Sequence, residues 1–143
     1  MTNAELTRRW FNEVWTEGKE ATIDELADPA MVAYGLGEYD ADVQGIPAFK
    51  EFWWRLRGAF PDIAINVVDT ISEGDKVACR FNVTMTHLGP QLGFAPTKRK
   101  VRITGICIAR WKNGKIVEGW NVWDQMGMMT QIQGAPLGAK LLK

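Results

Sequence analysis

His87 is the single histidine of this 143-residue chain, and histidine alone has an unperturbed side-chain pKa near neutrality. It ends an alternating apolar run, Val77, Cys79, Phe81, Val83 and Met85, beside a Gly- and Pro-rich stretch at residues 88–97. Such a place suits an acid or base at the mouth of a pocket, and equally a histidine hydrogen-bonded at a strand end. Asp124 is the second candidate. It follows Trp120 and Trp123 and precedes several methionines, and apolar surroundings raise a carboxyl group toward the range of a general acid or base. Its competing reading is the N-cap of a following helix, where a carboxylate accepts from backbone N–H groups. Tyr34 closes a short strand, either anchoring a substrate oxygen or standing as a half-buried core tyrosine.

Other chemistries find no residues. The chain has no Gly-rich phosphate loop of the lysine-containing or dinucleotide kind. It has no Gly-x-Ser-x-Gly elbow. One histidine and two distant cysteines, Cys79 and Cys107, do not make an ordinary zinc site. The expectation is a site without metal or cofactor, built from an acid, a base and polar anchors.

The elements that must position these residues follow from periodicity. Thr2 and Glu5 form a capping box for a helix carrying Leu6, Trp10, Phe11 and Val14 on one stripe and stopping near Gly18. Thr22 to Glu25 repeats the capping signal for a second helix ending at Asp28-Pro29. Ala30 to Tyr34 reads as a short strand, and residues 35–45 as loop. Pro47 opens a third helix whose stripe is Phe49, Phe52, Trp53, Leu56 and Phe60. After Pro61 the period changes to two. Ile63, Ile65, Val67 and Ile71 share one face of a strand, and Val77 to His87 form the next. A third strand runs through Val101, Ile103, Gly105, Cys107 and Ala109. The Asn113-Gly114 turn leads to a last strand from about Ile116 to Asp124. A short Met-rich helix follows, near Met126 to Gln131. Three helices and an antiparallel meander give an α+β domain, and a twisted meander that curls under helices encloses a cavity.

Composition bounds the partners. Lys+Arg and Asp+Glu both total 17, so no charge footprint for nucleic acid or an anionic membrane exists. The cluster Lys98-Arg99-Lys100 with Arg102 reads as a solvated strand start. No run approaches the length of a membrane helix, the N-terminus lacks a signal-peptide pattern, and the separated cysteines fit a reducing, cytoplasmic setting. Seven tryptophans supply rings that fill a core or line a site for an apolar ligand.

Several short motifs carry a family resemblance. Gly114-Lys115-Ile116-Val117-Glu118-Gly119-Trp120, followed by Asp124, Gly127 and Gln131, resembles the closing strand and helix of SnoaL-like polyketide cyclases and ester cyclases. Ala59-Phe60-Pro61-Asp62, Gly74 to Ala78, and His87-Leu88-Gly89 with Gly93 and Pro96-Thr97 fit the same family in the same order. The resemblance spans about residues 3–134. It implies a cystatin-like (nuclear transport factor 2-like) cone, a strongly curved, mainly antiparallel sheet with three N-terminal helices on its concave face. Residues 1–134 would form the domain and 135–143 a frayed tail. It also implies a homodimer and cofactor-independent chemistry, typically intramolecular aldol cyclisation of a polyketide ester.

Carried over by spacing, the catalytic aspartate of the best-known cyclases falls on Asn121 and their partner histidine on Cys107. An amide cannot take the aspartate's proton, but Asn121 can orient a carbonyl or enolate. Cys107 serves as a small wall residue. Asn121 and Asp124 stand on opposite faces by alternation unless a bulge intervenes. In a cone, Trp10, Phe49, Trp53 and Trp123 are both core and ligand wall. The leading expectation is an enzyme of cyclase or isomerase type acting on a small apolar carbonyl compound. Asp124 or His87 would move the proton, and Asn121 and Tyr34 would hold the developing oxyanion. The alternatives are a non-catalytic small-molecule binder of the same fold and, last, an epoxide hydrolase, which needs an aspartate pair bridged by an arginine.

Overall fold

The computed structural model describes residues 1–36 and 42–134; the expected tail, 135–143, lies outside them. Helix α1 (Asn3–Arg9) begins with the capping box. Glu5 N–H donates to Thr2 Oγ1, and Thr2 N–H donates to Glu5 Oε2, both at 3.1 Å. The helix then widens into a π-helical continuation, Trp10–Thr16. This wider turn lets Trp10, Phe11, Val14 and Trp15 all face inward.

Helix α2 (Glu20–Leu26) starts earlier than expected. Gly18, at φ +70°, turns the chain at once, so Thr22 lies inside the helix instead of capping it. Its hydroxyl donates to Glu13 Oε1 at 2.7 Å. Strand β1 (Ala27–Tyr34) follows directly, and β2 (Val43–Gln44) is a two-residue strand in the stretch expected to be loop. Helix α3 (Gly45–Ala59) has Pro47 in its first turn and buries Phe49, Phe52 and Trp53.

Strands β3 (Ala64–Glu73), β4 (Lys76–Thr86), β5 (Lys100–Lys112) and β6 (Lys115–Trp123) form the meander. The curved sheet has the order β2-β1-β6-β5-β4-β3. Among the described residues only β1 and β6 pair in parallel. Helix α4 (Gln125–Ile132) closes one end. Its Gln131 side chain clamps the Arg102 backbone, accepting from its N–H at 2.8 Å and donating to its carbonyl at 3.0 Å. Among the described residues the α-helices number four, three before the meander and the short Met-rich helix after it.

Two bulges decide which residues face inward. In β3 the pairing shifts between Val67 and Asp69, so the residues after Val68 reverse faces. Ile71, expected on the inner face, is 74% exposed. In β6 the register steps from Trp111↔Ile116 to Arg110↔Glu118, leaving Val117 as the extra residue. Ile116 points inward, and beyond the bulge so do Gly119, Asn121 and Trp123. Without it, strand alternation would turn Asn121 away from the core.

Candidate functional site

A funnel runs from the end of the cone to its interior. The mouth encloses about 700 Å³ between α3, α4 and the segment around Gln91 to Phe94. Its polar residues are Asp42, Glu51, Arg55, Gln91 and Gln125. Leu36, Phe52, Leu56 and Trp123 line both the mouth and the next chamber, so they form the throat. That chamber, about 60 Å³, has walls from Phe11, Trp15, Phe81, Met85 and Ile103, and Asn121 is its one polar side chain. A deeper chamber of about 30 Å³ lies under Trp10, Phe49 and Trp111, with Thr7, Cys107 and Asn121 as its polar members. Phe11, Trp15, Leu36 and Asn121 border both chambers. Together they hold only a few water-sized groups, so a larger molecule rests mainly in the mouth.

Asn121 reaches this junction through the Val117 bulge, directly across from Cys107 on β5. Its Nδ2 donates to the backbone carbonyl of Tyr34 at 2.9 Å and, more weakly, to that of Gly119 at 3.4 Å. Next to it, Trp123 Nε1 donates to the Gly35 carbonyl at 3.2 Å. Gly35, at φ +79°, lies so close that a Cβ there would stand 2.0 Å from the Asn121 carbonyl oxygen. The end of β1 is thus stitched to β6. The Asn121 N–H groups expected to steady an oxyanion are already committed to backbone carbonyls; its other polar atom, Oδ1, is an acceptor.

Cys107 is buried and paired across the strands with buried Cys79. Sequence separation hid this juxtaposition. The Cys79 thiol beside it, and then its burial, push the Cys107 thiol well up, so it stays protonated and acts as a small wall. In the deeper chamber Thr7 is already satisfied, since its hydroxyl donates to the Asn3 carbonyl at 2.8 Å and accepts from Trp111 Nε1 at 2.9 Å.

The other expected site residues stand elsewhere. Asp124 caps α4, its Oδ1 accepting from Gly127 N–H at 2.8 Å, and it lines neither chamber. His87 is fully buried between Phe60 and Phe94. Its Nδ1 accepts from Thr97 N–H at 3.0 Å, and its backbone bonds Lys98 and Arg99, so it holds the two ends of the 88–97 loop together. Tyr34 lies on the outer face. Strand parity puts Met31 and Ala33 inside and Tyr34 outside, stacked on Trp120 with its hydroxyl donating to Glu118 Oε2 at 3.4 Å. Burial, then the Glu118 charge, raises the tyrosine's pKa. Trp53 is core, its Nε1 donating to the Val14 carbonyl at 2.7 Å. Trp10, Phe49, Cys107, Asn121 and Trp123 do line the cavity. Sequence reading missed Phe11 and Trp15 as wall residues, although both lie on the helical stripe or next to it. It also missed the mouth residues Glu51 and Arg55, which look like ordinary solvated positions of α3.

Among the described residues no helix is long and apolar enough to cross a membrane, and no three His, Cys, Asp or Glu side chains converge as a metal cluster would.

The family model of SnoaL-like polyketide cyclases matches residues 5–132. No curated protein matches the chain by sequence. Among solved structures, a candidate SnoaL-like polyketide cyclase from Jannaschia sp. CCS1 superposes with a TM-score of 0.84 at 26% identity, covering 94% of this chain and 93% of that one. IdmH, a candidate polyketide cyclase from Streptomyces antibioticus, gives 0.81 at 25% identity over 93% and 99% of the two chains. AclR from Streptomyces galilaeus, a candidate hydroxylase, gives 0.79 at 26% identity over 98% and 86%.

Proposed function

We propose, from the premise that the chain belongs to the SnoaL-like polyketide cyclase family, that it takes a small, largely apolar carbonyl compound, a polyketide-like ester, into the funnel and promotes its cyclisation or isomerisation without a cofactor. The observation that carries this reading is the continuity of the funnel. A polar mouth leads through an apolar throat to chambers whose junction holds a single fixed amide, Asn121. Apolar walls exclude water and fold a flexible chain on itself, which raises the effective concentration of its two reacting carbons.

Among the described residues the acids that face the funnel are Glu51 and Asp42 at the mouth. In the proposed step a carboxylate there takes a proton from carbon next to a carbonyl. The resulting carbanion forms a carbon–carbon bond to a second carbonyl of the same molecule, and that carbonyl's oxygen recovers the proton. Asp124 and His87 support the scaffold in this scheme. The test is incubation with an acyclic β-polyketide methyl ester, with the cyclised isomer followed by liquid chromatography and mass spectrometry. Wild type should form product, and Glu51→Gln and Asp42→Asn together should lower the rate about a hundredfold. A rate untouched by both changes would reject this assignment.

A second reading, a non-catalytic binder, is favoured by one observation: among the described residues no carboxylate or imidazole lines the two chambers. It predicts saturable binding and no product over long incubation. An epoxide hydrolase is less well supported. Arg80 lies on the outer face paired with the single acid Asp69, and bridges no inward acid pair. A homodimer and a cytoplasmic setting belong to the same proposal. Exposed Ile106, Ile108 and Val122 on the outer face support the first, and two buried free thiols are compatible with the second.

A further inference from the structure

The amide at the junction of the chambers is not neutral toward its ligand. A side-chain amide has two N–H donors and one carbonyl acceptor. Here Nδ2 faces two backbone carbonyls, Tyr34 O at 2.9 Å and Gly119 O at 3.4 Å. The opposite amide orientation would set oxygen against oxygen at both places, so this network fixes which end points where. Asn121 borders both chambers, and with Nδ2 committed to the backbone its remaining polar atom is the acceptor Oδ1.

No donor of the described residues reaches that oxygen. Thr7, which lines the deep chamber, spends its proton on the Asn3 carbonyl. Of the indole N–H groups on the chamber walls, those of Trp111 and Trp123 are bound to Thr7 Oγ1 and Gly35 O, and those of Trp10 and Trp15 make no hydrogen bond to Asn121. Cys107, although directly opposite on the neighbouring strand, makes no hydrogen bond to it. Asn121 borders both chambers, and the one sealed, unpartnered side-chain atom among the described residues is His87 Nε2, not the Asn121 oxygen. An acceptor in an apolar chamber gains most from a partner that brings its own proton, because leaving it unpaired when water is displaced costs free energy.

We infer that the funnel selects molecules whose leading end is a hydrogen-bond donor, an enolic, phenolic or alcoholic O–H, and that Asn121 Oδ1 is the acceptor that reads it. This inference rests on the funnel being the ligand site. It sharpens the substrate class. A polyketide-like chain enters with an enol or hydroxyl foremost, and its ester or ketone oxygens remain with the polar mouth. A ketone or carboxylate in the lead would set acceptor against acceptor. The same polarity gives Asn121 a binding role that favours the enol over the enolate.

Phenol and fluorobenzene separate the possibilities, since the two rings are nearly the same size and fluorine cannot donate. Binding is followed by protein-observed nuclear magnetic resonance on the tryptophan indole signals of the full chain. Phenol should bind about fivefold tighter than fluorobenzene, the effect of one net hydrogen bond, and Asn121→Leu should bring the ratio to about one. If both rings bind equally well to wild type, or if the preference persists in Asn121→Leu, the donor-reading inference is overturned while the funnel remains a ligand site. If neither ring shifts the signals of Trp10, Trp15 or Trp123, the ligand site itself is wrong and the inference falls with it. Should Asn121→Leu not fold, the wild-type ratio decides alone.

Discussion

Asn121 Nδ2 donates to the main-chain carbonyl of Tyr34 at 2.9 Å, so the side chain that faces the cavity also fastens the end of β1 to β6. One amide thus serves structure with its nitrogen and the cavity with its oxygen. The two roles separate on substitution. Asn121→Asp sets a carboxylate against the Tyr34 carbonyl and should destabilise the fold at pH 7 by about 1–3 kcal/mol. This carboxyl's folded-state pKa is raised, because only its protonated form can donate to that carbonyl. The lost stability should therefore return as pH falls through that raised pKa. Urea denaturation of both proteins from pH 7 to pH 4 checks this, and a loss that does not depend on pH would contradict it.

Asp124 is a helix cap, and its replacement should behave as a cap replacement. Asp124→Ala removes the acceptor for Gly127 N–H and should cost about 1 kcal/mol. Asp124→Asn, which keeps a capping oxygen, should recover most of it. Turnover per folded molecule should stay within a few-fold of wild type in both. A hundredfold loss in a stable Asp124→Asn protein would restore the aspartate to the chemistry.

The buried imidazole of His87 joins the ends of the 88–97 loop through Thr97 N–H. His87→Leu leaves that N–H without its acceptor, at a cost of about 1–3 kcal/mol. Hydrogen exchange should rise first in residues 88–98 and much less in β5. Uniform protection across the loop would show that the histidine does not hold it.

Most of the scaffold was legible because it rests on periodicity. The helical stripe of Phe49, Phe52 and Trp53 and the alternation of Val77 to Met85 are buried as expected. The capping box at Thr2 and Glu5 also forms as read. What periodicity cannot reveal is a change of phase. The extra residue Val117 turns Asn121 inward, and the bulge near Val68 turns Ile71 outward; neither residue type announces a bulge. Tyr34 follows the opposite lesson, since strict alternation from the buried Met31 and Ala33 already placed it outside. The pairing of Cys79 with Cys107 needed the strand register, which separation in sequence conceals. Asp124 presented a genuine ambiguity, as a carboxylate before a helix is a good cap whatever stands beside it.

Glu13 ties the first two helical segments together and should make stability depend on acid. Its bonds from Arg9, then from the Thr22 hydroxyl, hold the carboxyl below its ordinary value of 4.5. A depressed folded-state pKa gives stability that is present above the unfolded value and lost as pH falls through the folded one. Thermal melts of wild type and Glu13→Gln should therefore differ at pH 7 and draw together as pH falls from 4.5 through the lowered folded-state value. A gap that stays constant down to pH 3 would contradict the ion pair's contribution.

The central claim is that a small apolar molecule occupies the funnel, and mass spectrometry of compounds retained by the purified protein tests it most directly. Leu56 lines both the mouth and the outer chamber, so Leu56→Trp should narrow the throat without touching Asn121. An apolar carbonyl compound bearing an O–H group should be retained by wild type and lost from a folded Leu56→Trp protein. Equal retention by both, or a retained ligand that is wholly polar, would contradict it.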